Sequence, residues 1–289
     1  MSAFRVSVII PVFNAEKYLR NAVESAVVLE EVGEVILIED KSPDNALQLC
    51  NQLAKEFDKV RLLTHPNGEN RGAGESRNLG IRKSTLPYVA FLDADDWYLP
   101  NRFTRCKEVF QNNNKTDGVY EATGYYYEET QQLDLSKLTT VKSFVDPGNL
   151  LVTLLKADTG RFHTNAITLK KTIFKKAGMF DPVLRLHQDT HLWLRLAHIG
   201  RLVPGEINRA VAVRRVHVEN RIRHFDRASR NLLFVRTYEW FRKQEGVDKR
   251  SYRIIFNRYV AALKKNMPGR IFFTLIYLLR NSGEFRKLI

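Results

Sequence analysis

Three aspartates lie within four residues of one another in the segment FLDADDW, residues 91–97. The apolar run before them predicts a strand, so we expect Asp93 and Asp95 to share one face and Asp96 to begin the following turn. Carboxylates this close repel one another unless a cation or several donors compensate. Mg²⁺ and Mn²⁺ take such oxygen ligands together with phosphates. The cluster therefore predicts a site for Mn²⁺ or Mg²⁺ and a diphosphate, with a solvated acidic turn as the alternative.

A second polar group follows another apolar run, in IEDKSPDN, residues 38–45. Asp40 stands directly after the predicted strand, where its carboxylate can accept a hydrogen bond from a base N–H. Ligands of open α/β sheets bind at the carboxyl ends of strands, which favours a functional interpretation of Asp40. Ser42 and Asp44 can shape the turn, and Asp44 is the expected cap of the next helix.

A glycine-rich loop, PNGENRGAGESRNLG, covers residues 66–80 and leads into a predicted helix that carries Arg77. Glycines permit close backbone approach, and a helix start offers free N–H groups to an anion. The guanidinium of Arg77 suits a diphosphate, although a plain flexible turn is an equal alternative. Neither the dinucleotide fingerprint nor a GxxxxGK[ST] phosphate loop is present, which argues against a P-loop NTPase.

The elements that position these residues form a pattern of short apolar runs and amphipathic helical segments. This pattern predicts βαβ units, hence an α/β fold with a Rossmann-like, mostly parallel sheet flanked by helices. The apolar runs are Val6–Phe13, Val35–Asp40, Val60–Leu63 and Tyr88–Asp93. Asn14 and Asp44 are the expected N-caps of the first two helices. Later in the chain we expect one tyrosine-rich strand, Val119–Tyr127, followed by a loop over Glu128–Thr140.

The composition is that of a folded protein, with 289 residues, 44% of them hydrophobic and 27% charged. The apolar N-terminal stretch is interpreted as a core strand and not as a signal peptide. The cysteines, Cys50 and Cys106, fall in predicted helices, so we expect a cytoplasmic protein without a disulfide framework.

The net charge of +14 comes from one part of the chain, because residues 201–289 hold 21 Lys/Arg against 7 Asp/Glu and residues 1–200 are balanced. This asymmetry indicates an anionic partner, and on charge alone nucleic acid, an acidic membrane leaflet and an anionic substrate all stay open. Residues 226–289 are predicted to be mostly helical. Their helices are expected to pack on the preceding domain or on a second subunit of a homodimer, or to dock at the inner face of the cell membrane.

The segments VSVIIPVFN, IEDKSPDN, NRGAGESRN and FLDADDW, in this order, resemble the nucleotide-binding half of the family 2 glycosyltransferases, which have the GT-A fold. The resemblance covers residues 4–102 closely and continues more weakly to about residue 220. It implies a catalytic domain over 1–225, divided into a nucleotide-sugar half at 1–102 and an acceptor half at 103–225, with a basic helical C-terminal extension at 226–289. The implied reaction is metal-dependent sugar transfer, with inversion, from a nucleotide-sugar donor, commonly UDP-linked, to a saccharide or lipid-linked acceptor.

The resemblance also implies roles for individual residues. The nucleotide sugar is expected to contact Pro11, Phe13, Asn14, Asp40, Ser42, Arg77, Asp93 and Ala94. The expected metal ligands are Asp93, Asp95, Asp96 and His217, the last with a surface or core histidine as an equal alternative. In HQDTHLWLR, residues 187–195, the catalytic base of the family falls on Asp189. Two departures stand next to these positions: Glu39 replaces a common aspartate, and Gln188 replaces a common glutamate.

Three rival functions have weaker support. A nucleic-acid-binding protein would use the basic aromatic tail but would leave the aspartate cluster unexplained, so no nucleic acid is expected as a partner. A catalytically inactive nucleotide-sugar sensor on the same fold would not require all four of Asp40, Asp93, Asp95 and Asp189. A nucleotidyltransferase would need a basic glycine-rich signature near the N-terminus. Acceptor contacts are expected, on location alone, from His163, His187 and His191.

Overall fold

A computed structural model of the chain describes residues 4–157, 159–218 and 227–264, and the single positions 269, 271, 275 and 276. The strands are β1 Val6–Val12, β2 Val32–Glu39, β3 Val60–Thr64, β4 Tyr88–Phe91, β5 Trp97–Tyr98, β6 Gly118–Tyr120, β7 Ala122–Tyr127, β8 Gln132–Thr139, β9 Ile167–Lys170, β10 Leu202–Pro204 and β11 Ala210–Val216. The helices are α1 Glu16–Val27, α2 Ala46–Glu56, α3 Gly72–Lys83, α4 Thr104–Asn112, α5 Leu150–Lys156, α6 Phe174–Ala177, α7 Gln188–Ile199, α8 Arg227–Phe241 and α9 Lys249–Lys264.

The central sheet has seven strands in the order β10-β6-β9-β4-β1-β2-β3. Strands β3, β2, β1 and β4 are parallel, while β9 runs antiparallel to both β4 and β6. Apolar residues of β1 alternate between two hydrophobic clusters, with Val8 and Ile10 in one and Ile9 in the other. The sheet is therefore covered on both faces, and the predicted mostly parallel α/β fold is confirmed.

The first two helices begin one residue later than expected. Their N-caps are Ala15 and Asn45, so the prediction of Asn14 and Asp44 as caps is wrong. The Asp44 carboxylate nevertheless accepts hydrogen bonds from the N–H groups of Glu16 at 2.8 Å and Ala46 at 3.3 Å. One aspartate thus serves the starts of both helices, and it holds them beside the carboxyl ends of β1 and β2.

A second, four-stranded sheet has the order β5-β11-β7-β8. The single strand predicted over Val119–Tyr127 is in fact two, because the chain leaves the central sheet after β6 and enters the small sheet as β7. At the crossing, Glu121 forms a fully buried ion pair with Arg102 at 2.8 Å. The predicted loop over Glu128–Thr140 is also wrong, since it contains β8. That strand lies at the edge of the small sheet with Leu133 exposed, so it lacks the buried face that marks a strand in a sequence.

The C-terminal helices α8 and α9 pack against the rest of the chain. Tyr238, Phe241 and Tyr252 belong to the same hydrophobic cluster as Trp193 of α7. Of the alternatives left open above, packing on the preceding domain therefore holds for these two helices. The C-terminal part of the sequence also contains the apolar run Ile271–Leu279, most of which lies outside the described residues. Within the described part of the chain, no helix has the length and apolar character needed to cross a bilayer.

Candidate active site

The aspartate cluster forms a turn beyond the end of β4. This strand stops at Phe91, and the N–H of Asp96 donates to the carbonyl of Asp93 at 3.0 Å. The expectation that Asp93 and Asp95 share a strand face is therefore wrong. Instead, potential ligand atoms of Asp93, Asp96 and His163 all lie within 4.8 Å of one another.

Asp95 lies beside this group and contacts a different histidine. Its Oδ2 is 2.9 Å from Nε2 of His217, which is 8% exposed and lies just beyond the end of β11. His217 is thus at the site where a metal ligand was expected, but here its Nε2 is engaged by a carboxylate. Ala94, between the aspartates, packs in the core, and its predicted contact with the nucleotide sugar stays a prediction.

Asn165 joins the two ends of the aspartate turn. It is fully buried, its Oδ1 accepts from the Asp93 N–H at 3.0 Å, and its Nδ2 donates to Oδ2 of Asp96 at 2.5 Å. Arg77, on α3, donates to Oδ1 of Asp93 at 2.5 Å, so it supports the cluster through this carboxylate. The backbone N–H of Arg215 donates to Oδ1 of Asp96 at 2.7 Å. These contacts hold the carboxylates in a fixed arrangement that their mutual repulsion alone would oppose.

The charges of the cluster are poorly compensated. Burial raises the pKa of Asp96 well above its ordinary value, and the neighbouring charges of Asp95 and Asp93 raise it further. Burial also acts to raise the pKa of Asp93, but Arg77, through its charge and its hydrogen bond, together with the charges of His163 and Arg214 outweighs burial, and the pKa is lowered. Burial lowers the pKa of His163, so its ring is neutral near pH 7. Two carboxylates and a neutral imidazole, confined at one point, are a donor set that fits Mn²⁺ or Mg²⁺.

Asp40 binds the start of the glycine-rich loop's helix. Its two carboxylate oxygens accept from the N–H groups of Arg71 at 2.6 Å and Gly72 at 2.7 Å, and its exposed fraction is 2%. Gly72 has a φ of +82°, which a residue with a side chain rarely adopts. Asp40 therefore holds the loop in place in this structure, and its predicted contact with a base stays a prediction.

The expected base pocket lies at the end of β1. Pro11 is half-buried in β1, and Phe13 follows the strand with 38% of its surface exposed. The Asn14 N–H donates to Oγ of Ser42 at 3.2 Å, which ties the segment after β1 to the segment after β2. The residues expected to meet the nucleotide are thus brought together at the same edge of the central sheet.

Asp189 is the second residue of α7. Its charge acts to raise the pKa of His163, which places the two groups within electrostatic reach. Its Oδ1 accepts from the Thr190 N–H at 2.6 Å. Among the residues that the structure describes, it forms no ion pair. Gln188, the preceding residue, packs so closely on α3 that a Cβ at Gly74 would lie 2.3 Å from its Oε1.

The other two histidines with an expected acceptor contact are placed differently. His187 is half-buried with a φ of +61° and precedes α7 as its N-cap. His191 is only 2% exposed, with Nδ1 3.9 Å from Oδ2 of Asp181. The expected acceptor contact is wrong for His191, because its side chain is buried in this structure.

His163 and Asn165 are the site residues to which sequence reasoning gave no firm role. Both belong to the segment before β9, and β9 reaches the site because it inserts antiparallel between β4 and β6. No local pattern marks such an insertion, since it depends on pairing between distant parts of the chain. The spacing His-x-Asn directly before the segment that forms β9 was the only available signal in the sequence.

Comparisons with known proteins agree with this geometry. A family model described as "Glycosyl transferase family 2" matches residues 7–175, more than half of the chain. An uncharacterized glycosyltransferase from Rickettsia felis is 28% identical over 217 residues, which are 74% of this chain and 34% of the relative. The uncharacterized glycosyltransferase YibD from Escherichia coli is 39% identical over 103 residues, 35% of this chain and 29% of YibD. The chain thus spans about a third of the length of these relatives.

Solved structures share the fold at low sequence identity. S. aureus TarS (residues 1–349), in complex with UDP-GlcNAc, has a TM-score of 0.69 at 15% identity, with 89% of this chain and 73% of that chain covered. The mannosyltransferase PcManGT from Pyrobaculum calidifontis, in complex with GDP-Man and Mn²⁺, has a TM-score of 0.60 at 16% identity, with 98% and 82% covered. At this identity the likeness establishes the GT-A fold and nothing finer.

Proposed function

The chain belongs to glycosyl transferase family 2, and on this premise we propose that it transfers a sugar from a nucleotide-sugar donor to an acceptor hydroxyl with inversion at the anomeric carbon. The observation that carries the proposal is the meeting of Asp93, Asp96 and His163 beyond β4, within electrostatic reach of Asp189. The expected base is uracil, and the expected acceptor is a saccharide or a lipid-linked sugar. UDP-GlcNAc and GDP-Man, bound by the two structural neighbours, support a nucleotide-sugar donor.

The proposed metal ligands are Asp93, Asp96 and His163, with Asp95 and His217 alongside. The donor set supports a hard divalent cation, Mn²⁺ or Mg²⁺. Such an ion, when bound, acts as a Lewis acid that stabilises charge on the departing nucleoside diphosphate.

Asp189 is the proposed general base. Its Oδ1 is engaged by the Thr190 N–H, which leaves Oδ2 to take the proton of the acceptor hydroxyl. A hydroxyl activated by Asp189 can displace the diphosphate from the opposite face of the anomeric carbon. One direct displacement of this kind inverts the configuration.

Arg77 and Asn165 are proposed to position the site and not to react. Arg77 keeps Asp93 ionised, and Asn165 fixes the separation of Asp93 from Asp96 through its two side-chain hydrogen bonds. Asp40 keeps the glycine-rich loop in register at the start of α3. All three residues maintain the shape of the donor site and do not take part in the bonds that form or break.

The test is a thermal-shift series with UDP, GDP, UDP-sugars and GDP-sugars, each with and without Mn²⁺ or Mg²⁺. We expect stabilisation that requires both a nucleotide and the metal. Asp96→Asn should lose the metal-dependent part, whereas Asp58→Asn should keep it, because Asp58 is an exposed aspartate before β3 at the opposite edge of the sheet. Stabilisation by nucleic acid but by no nucleotide would overturn the proposal.

A further inference from the structure

One face of the small sheet carries two tyrosines and two cations. Arg214 of β11 is paired in register with Tyr125 of β7, and paired residues of neighbouring parallel strands project from the same face. Tyr127, two positions on, shares that face, and its ring stacks with that of Tyr125 at 6.1 Å and 10°. Lys137 of β8 lies over both rings, at 5.2 and 5.7 Å from their centroids. We call Tyr125, Tyr127, Lys137 and Arg214 the tyrosine wall.

The tyrosine wall borders the candidate active site. The turn Thr164–Ala166, which follows His163, lies against both β7 and β11. Arg214 also acts on the site by its charge: burial and Arg214 both lower the pKa of His163, and Arg214 joins Arg77 in lowering that of Asp93. The tyrosine wall therefore lies beside the cluster of Asp93, Asp96 and His163.

The two cations of the wall differ from the other basic groups of the site. Arg77 pairs with Asp93, and Arg102 pairs with Glu121. Arg214 is half-buried, yet within the described ranges its guanidinium has neither a hydrogen bond nor an ion pair. Lys137 is exposed and donates to the phenol oxygen of Tyr127 at 3.0 Å, not to a carboxylate. A partly desolvated guanidinium without a counter-charge favours an incoming anion.

The two tyrosine rings supply the apolar part of the recognition surface, next to the cations. Tyr125 and Tyr127 are half-buried, so part of each ring is open to a ligand. The apolar C–H face of a sugar ring packs on such an aromatic surface, while its hydroxyls keep polar partners at the rim. Two partly exposed tyrosine rings next to an unpaired cation therefore match a ligand that has both a sugar ring and a negative charge.

We propose that the tyrosine wall is an acceptor subsite for a saccharide that carries an acidic group, a carboxylate or a phosphate. The sugar ring packs on Tyr125 and Tyr127, and the acidic group is bound by Arg214 and Lys137. This inference rests on the proposed function, because it names the class of acceptor that the same cleft admits. It goes further than that function, which does not require an acidic acceptor.

The test compares four probes on the full chain in the presence of UDP and Mn²⁺: methyl glucuronide, glucose 6-phosphate, methyl glucoside and inorganic phosphate. Dissociation constants are measured by saturation-transfer NMR and titration. We expect at least one acidic sugar to bind about tenfold or more tightly than the neutral sugar, as one charge-assisted hydrogen bond allows. The two acidic probes separate a carboxylate from a phosphate, and inorganic phosphate should bind more weakly than either preferred sugar.

Substitutions in the tyrosine wall test whether it causes the preference for acidic sugars. Arg214→Gln and Lys137→Gln should reduce the preference for the acidic sugar, with the larger loss at Arg214. Tyr125→Leu should weaken acidic and neutral sugars alike, and Tyr125→Phe should restore binding because it keeps the ring. Lys115→Gln is the matched control, since Lys115 is exposed and precedes the amino end of β6, which runs parallel to β4 and so begins at the opposite edge.

Donor binding separates failure of this inference from failure of the proposed function. If UDP and Mn²⁺ stabilise the wild type and every wall variant, but acidic and neutral sugars bind equally, the acidic-acceptor inference is wrong. If Arg214→Gln abolishes UDP binding and leaves the sugar preference intact, Arg214 belongs to the donor site and the inference is also wrong. If UDP and Mn²⁺ do not bind at all, the proposed function fails, and the sugar probes alone still test the wall.

Discussion

Asp189 combines two properties at the scale of a single residue. It lies in the first turn of α7, where a negative charge is stabilised, and within the described ranges no basic side chain forms an ion pair with it. A carboxylate in an ion pair would be held in place by its partner and would be a weaker proton acceptor. Asp93 differs from Asp189, because Arg77 pairs with it at 2.5 Å and fixes it in place. Of the two carboxylates, Asp189 is therefore the one that can move a proton.

Asp189→Asn should therefore reduce the rate of sugar transfer by ~10²–10⁴-fold, the usual range for loss of a general base. The amide keeps the shape of the side chain, so the binding of UDP with Mn²⁺ should stay unchanged. The measurement is a turnover assay paired with a thermal shift on the same preparation. Full activity in the variant would remove Asp189 from the base role, and a loss of donor binding would assign it to the donor site.

At the scale of elements, the sequence was sufficient to predict the strands that are buried on both faces. The runs that became β1, β2, β3 and β4 are apolar because each lies between two layers, and their starts and ends were close to those observed. The larger errors in strand assignment came after residue 118. There the strand splits between two sheets at Glu121, and β8 is exposed at an edge, so neither feature leaves an apolar run to detect.

The candidate site could be predicted only where its residues are close in sequence. The aspartates of residues 93–96 stood out because three acidic groups in one turn are unusual. Their pairing could not be predicted, since β4 ends two residues before Asp93 and the turn brings Asp93 to Asp96 instead of Asp95. Asn165 stayed unassigned for a related reason: a buried amide acquires its role only when β9 is placed beside β4.

Helix α7 carries a pH-dependent contribution to stability through His191. Burial lowers the pKa of His191 to about 3; Arg195 and Arg236 also lower it, and Asp181 opposes them. The unfolded chain takes up a proton near pH 6.5, and the folded protein does not. The contribution is therefore complete above about pH 6.5 and is lost as the pH falls towards 3, with a slope of at most about 1.4 kcal/mol per pH unit.

His191→Gln should flatten this dependence, because glutamine has no proton to take up. The measurement is the free energy of unfolding in urea at several pH values between about 7 and about 5, a range in which most carboxylates stay ionised. The readout is the slope, so a change in stability that is the same at every pH does not affect it. Equal slopes in the variant and the wild type would contradict the assignment.

At the scale of the whole molecule, the C-terminal helices α8 and α9 expose basic residues and bury several large apolar ones. Residues 227–264 contain 10 Lys/Arg against 3 Asp/Glu. The large apolar side chains Tyr238, Phe241 and Tyr252 of these helices are buried in the core, so they are not available to enter a lipid layer. Basic residues such as Arg250 remain exposed. We therefore expect any contact of α8 and α9 with a membrane to rely mainly on their exposed basic residues.

We expect the protein to associate weakly with acidic vesicles at low ionic strength and to dissociate as salt is added. Electrostatic attraction acts over about 30 Å at ~0.01 M salt but only about 8 Å at ~0.15 M, so the loss should fall between these concentrations. Co-sedimentation with phosphatidylserine vesicles measures it, with phosphatidylcholine vesicles as the neutral control. Absence of binding at ~0.01 M salt would exclude an anionic membrane partner. Binding that persists at high salt would indicate an apolar contact, which Tyr238, Phe241 and Tyr252 cannot provide because they pack in the core of the chain.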